Sequence, residues 1–70
     1  MKVKEQIFNT LRKKYALRKV ISDTLNVKEI NIYLWAYRRQ HNKVGNSLVI
    51  EILKRELQIT DKEIFEPLNA

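Results

Sequence analysis

Between residues 18 and 37 the apolar side chains fall into two helical stripes interrupted at Leu25-Asn26-Val27, so this stretch is expected to fold as two short amphipathic helices joined by a tight turn. The first helix, expected over residues 17–25, aligns Leu17, Ile21 and Leu25 on one face with Val20 beside them. Ser22 lies next to that face and is small enough to let another helix approach closely. Asn26 falls where the turn needs a residue tolerant of the left-handed conformation, a role in which Asn is second only to Gly. Val27 can tuck back into the core. The second helix is expected over residues 28–39 and buries Ile32, Trp35 and Ala36, although Lys28 stands where Ser or Thr would cap it better.

The same helical period organises the rest of the chain. Val3, Ile7, Leu11 and Tyr15 form one stripe over residues 3–15, widened by Phe8. Arg12-Lys13-Lys14 closes that helix, where cations complement the macrodipole. Residues 40–45 are polar and contain the only Gly, which predicts a loop or a frayed helix end. Asn46 or Ser47 can cap a further helix reaching about residue 58, with Leu48, Val49, Ile52, Leu53 and Leu57 at helical spacing. Thr60-Asp-Lys-Glu63 then matches a capping box, Ile59 and Ile64 can form its hydrophobic staple, and Pro67 stops the last helix after one or two turns. The expectation is therefore an all-α fold, a compact bundle of about five short helices in a single domain over residues 1–70.

Charge narrows the function. Residues 1–43 carry 11 lysines and arginines against 3 acidic residues, whereas residues 44–70 carry 3 against 5. The basic half is also the half with the paired helices. Clustered cations favour phosphate contacts through counterion release, although a solvated basic face that keeps a small protein soluble would look the same in composition. The absence of cysteine rules out a disulfide framework or a thiolate metal site and suits a reducing cytoplasm. The longest apolar run, residues 32–37, is too short to span a bilayer, and no signal peptide is expected. His41 is the single histidine, lies in the polar segment and has no second histidine or cysteine with which to share a metal, so it is expected in solvent. No cofactor is expected. Nor is an enzyme, because the eight carboxylates mostly pair by spacing with Lys or Arg or cap helices, and a core this small leaves little room for a pocket.

With Ile21, Leu25, Val27, Ile32 and Trp35 at the apolar positions, Ser22 at the small one and Asn26 at the usual turn glycine, the chain resembles the phage-repressor helix-turn-helix family, the Cro/cI-like DNA-binding domains. The resemblance runs from about residue 17 to 65. Residues 53–65 look like the family's closing pair of helices. It implies that the helix from Lys28 is the recognition helix, presenting Lys28, Glu29, Ile30, Tyr33, Leu34 and Tyr37 to DNA or to a partner. Lys28 and Tyr33 would probe base edges, while Arg18, Lys19, Arg38, Arg39 and Lys43 would contact phosphates.

In place of the polar readers usual on this surface, the chain carries Ile30, Leu34 and two tyrosines, with Glu29 facing a polyanion. An apolar and aromatic surface also suits protein binding, and a rotated helix would make these residues additional core. Two functions therefore compete. One is a small phage-type regulator binding double-stranded operator DNA, as a homodimer because one module buries little surface. The other is an antirepressor that docks the same helix on a partner repressor and blocks its DNA-reading surface.

Overall fold

In the computed structural model, which describes residues 2–67, the first helix, α1 (Glu5–Lys13), ends at Lys14. The extended backbone of Lys14 (φ −102°, ψ 95°) separates it from α2 (Tyr15–Leu25). Periodicity alone carries one helix through to Tyr15. That residue instead opens α2 and is 58% exposed. The reason lies in Arg18, whose Nη1 donates to the carbonyls of Leu11 (2.7 Å) and Arg12 (2.8 Å). A helix end leaves its last carbonyls unpaired, and here a side chain from the following helix takes two of them.

Val3 also departs from the expected helical stripe. It is buried, but in an extended segment that forms an antiparallel bridge with Phe65. Lys4 donates its amide to the Ile64 carbonyl and Glu66 donates to the Lys2 carbonyl, each at 2.8 Å, so the segments before α1 and after residue 64 hold each other.

α2 buries Leu17, Ile21 and Ser22 and ends at Asn26 in the left-handed conformation (φ 57°, ψ 45°). Val27 donates its amide back to the Ser22 carbonyl at 3.0 Å and packs half-buried against the core. α3 (Glu29–Tyr37) follows after residues 26–28, and Lys28 supplies no side-chain cap, as its chemistry dictates. Ile32 and Ala36 are buried as expected, whereas Trp35 is half-buried and packs against the core from its edge.

Arg39, with φ 50°, reverses the chain after α3. Residues 40–45 then contain a separate single helical turn, α4 (His41–Val44), in place of the expected loop or frayed helix end. One apolar residue in six gives no readable period, yet Val44 is fully buried and anchors the turn. α5 (Ser47–Leu57) starts on Asn46, whose side-chain oxygen accepts the Leu48 amide at 2.9 Å. It buries Val49, Ile50, Ile52 and Leu53. Leu48, expected on that stripe, sits in the first turn and is 48% exposed.

α6 (Asp61–Ile64) closes the described chain. The expected capping box is not made: Thr60 has no side-chain cap bond, and only its carbonyl engages, accepting the Glu63 amide at 3.0 Å. Ile64 is buried and Ile59 half-buried.

The result is all-α, six short helices with no strand among the described residues. Its Cα radius of gyration, 11.1 Å, matches the roughly 11 Å of a fully condensed chain this long. Phe8, Leu11, Ile21, Ile32, Leu53 and Ile64 are fully buried at its centre. Among the described residues no buried side-chain polar atom lacks a partner, and no helix is long and apolar enough to cross a membrane.

Candidate nucleic-acid interface

α3 turns Ile32 and Ala36 inward, which leaves the opposite side of the helix outward. Ile30 is 52% exposed and Tyr37 57% exposed, while Tyr33 and Leu34 are half-buried. Lys28 precedes the helix, Arg38 follows it, and both are exposed and in no ion pair among the described residues. Asn31, which periodicity does not single out, is exposed in the first turn and adds an amide to this side.

Arg18, expected at the surface as a phosphate contact, is instead a structural junction with only 11% of its side chain exposed. Besides the two α1 carbonyls, it is paired through Nε with Glu29. Its guanidinium lies 5.6 Å from the Tyr15 ring centroid and 5.3 Å from that of Tyr33, distances at which a cation is attracted to a ring face. Tyr33 in turn stacks on Tyr37, with centroids 6.3 Å apart and planes 15° from parallel. A ladder of Tyr15, Arg18, Tyr33 and Tyr37 thus runs from the start of α2 to the end of α3. Tyr15, expected at the end of the first helix, joins the ladder because it opens α2 three residues before Arg18.

Glu29, expected to face the ligand, is likewise turned onto Arg18 and is 24% exposed. Its charge is neutralised within the fold. Arg39, a further expected phosphate contact, is committed to α1: Nε and Nη2 donate to the two Glu5 oxygens at 2.7 and 2.8 Å. The left-handed backbone at Arg39 directs it there. These hydrogen bonds, with the charges of Arg39 and Arg12, hold the Glu5 carboxyl below the ordinary carboxylate range.

The remaining expected contacts stay at the surface. Lys19 is exposed and pairs with Asp23 one turn on at 3.2 Å, an arrangement weak enough in water to exchange for a phosphate. Lys43 holds its ammonium 5.8 Å from the Trp35 ring centroid. The structure therefore gathers Lys28, Ile30, Tyr33, Leu34, Tyr37 and Arg38 on or beside α3, withdraws Arg18 and Glu29 into a mostly buried ion pair, and engages the half-exposed Arg39 with Glu5.

His41 also departs from expectation. It is not free in solvent: Nδ1 accepts the Val3 amide at 3.0 Å and its ring meets Phe8 edge-on at 5.1 Å. Among the described residues no cluster of acidic or histidine side chains could hold a metal ion.

A scan against protein-family models, a search of curated proteins and a search of solved structures each returned no match.

Proposed function

We propose that this chain is a small phage-type transcriptional regulator that lays α3 in the major groove of double-stranded operator DNA. The observation that carries the reading is the Arg18–Glu29 pair. Glu29 is the only acid in α3, and an open carboxylate there would repel a polyanion. With it neutralised, the helix offers an uncharged face with Lys28 before it and Arg38 after it. Lys28, Asn31 and the Tyr33 hydroxyl would meet base edges, while Arg38, Lys19 and Lys43 would contact phosphates. A homodimer on a two-fold operator would double a contact area that is small for one such module.

The salt dependence of binding tests this, read by fluorescence anisotropy on double-stranded DNA. Each phosphate contact adds about 0.9 to the slope of log affinity against log salt. Arg38→Gln is expected to lower the slope by about that amount. Arg39→Gln should lower it less, because Arg39 already holds Glu5. Duplex binding that ignores salt, or equal effects of the two changes, would count against this assignment of contacts.

The exposure of Ile30 and Tyr37 favours one second reading, an antirepressor that docks α3 on the DNA-binding domain of a partner repressor. Ile30→Asp is then expected to abolish capture of that domain. Because Ile30 is half in solvent, the substitution should change stability by no more than about 0.5 kcal/mol. Loss of the helical circular-dichroism signal in Ile30→Asp would return Ile30 to the core and remove both readings of α3.

A further inference from the structure

We propose that α3 selects its operator chiefly through the 5-methyl groups of thymine, with Ile30 as the reading side chain; this rests on the DNA-binding reading above. An apolar surface of four residues looks too broad for base readout. The structure reduces it. Leu34 is half-buried, and the Tyr33 ring is held between the Arg18 guanidinium and the Tyr37 ring, which leaves Ile30 and Tyr37 as the two side chains more than half exposed. Glu29, the one carboxylate in α3 that could accept from the cytosine amino group, is spent on Arg18. Lys28, just before the helix, and Asn31, in its first turn, are exposed as well.

The thymine methyl is the only methyl group that the unmodified bases present in the major groove. Ile30 pressed against a purine N7, a carbonyl oxygen or the cytosine amino group would strip water from a polar atom and return no hydrogen bond. Against a methyl it gains burial at no such cost. The side chain is also well prepared for the contact, because a β-branched residue in a helix keeps largely one rotamer. Arg18 further ties α3 to the end of α1, so the position of Ile30 is set by the fold. Ile30 and Tyr37 are seven positions apart, about 10 Å along the helix axis, a length of about three base-pair steps. Discrimination should therefore be concentrated within that span.

The experiment starts from a pool of random-sequence duplex DNA enriched on the intact chain, after which single thymines of the enriched duplex are replaced by uracil. Uracil keeps every hydrogen-bonding group and lacks only the methyl. At one or two positions it is expected to weaken binding about fourfold, the worth of one buried methyl or methylene group. Cytosine placed there should bind more weakly still, and 5-methylcytosine should recover part of the loss. In Ile30→Ala the difference between thymine and uracil should vanish at the position Ile30 reads, whereas Tyr37→Ala should leave that difference in place. A purely structural role for Ile30 would weaken thymine and uracil duplexes equally. Duplex binding with no enrichment, with every uracil silent, or with discrimination surviving Ile30→Ala overturns this inference and leaves the DNA-binding reading standing. Absence of duplex binding at low salt overturns both.

Discussion

Arg18→Ala is expected to cost about 3 kcal/mol, a large share of the roughly 4–10 kcal/mol that holds a domain of this size together. The substitution removes one partner from a mostly buried ion pair and leaves Glu29 with its charge and 24% exposure. It also strips the carbonyls of Leu11 and Arg12 of their donor, at a helix junction made with neither a glycine nor a left-handed residue. Two further variants separate these effects in urea denaturation. Glu29→Gln keeps the carbonyl contacts and should lose only about 1–2 kcal/mol. Arg18→Met with Glu29→Met removes both charges and should be more stable than Arg18→Ala, because no unpaired charge remains. Arg18→Ala within about 0.5 kcal/mol of the parent protein would show the junction to be ornamental.

Gly45→Ala is expected to destabilise by about 2 kcal/mol, a fall in Tm of about 8–16 °C for a domain of this size. Backbone freedom is not the reason, since φ at Gly45 is −80°, open to any residue. Space is the reason: a Cβ there would lie 2.7 Å from the His41 carbonyl oxygen. That oxygen already accepts the Gly45 amide at 2.8 Å, and His41 has little room to yield while Nδ1 holds the Val3 amide and its ring meets Phe8. Strain should therefore pass to the bridge between Val3 and Phe65. Faster hydrogen exchange at the Lys4 and Glu66 amides, which donate across that bridge, would report it. At an unstrained site the same change stabilises by about 0.4–1 kcal/mol, so the sign alone decides.

Features that depend on a few consecutive residues are legible in the sequence itself. The left-handed turn at Asn26 and the Asn46 cap of α5 follow from side-chain preferences acting over one or two residues. The buried stripes of α2 and α5 follow from the helical period at Leu17, Ile21, Val49, Ile52 and Leu53, whereas Leu25 and Leu57 are half-buried, Leu48 is exposed and Ile50 is an added core residue. Where sequence and fold diverge, the deciding partner is distant or single. The basic run Arg12-Lys13-Lys14 marks the neighbourhood of a helix end, but the stripe carries on to Tyr15, and the side chain that takes the last carbonyls is that of Arg18 in the next helix. α4 is hidden because its hold on the core is Val44 alone. The capping box at Thr60 is a correct pattern whose side-chain bonds the fold does not use.

The candidate site divides along the same line. Its helix, its apolar residues and the basic bias of residues 1–43 are written in the sequence, since periodicity and composition are properties of the chain itself. Which charges remain open to a ligand is not, because ion pairing depends on distances across elements. Arg18 meets a glutamate 11 residues on, Arg39 meets one 34 residues back, and His41 meets an amide 38 residues away. Local sterics and hydrogen bonding thus determined that residues 17–37 form two helices about a turn at Asn26. Only packing decided that the second presents Ile30 and Tyr37 between Lys28 and Arg38, with its single carboxylate neutralised from behind.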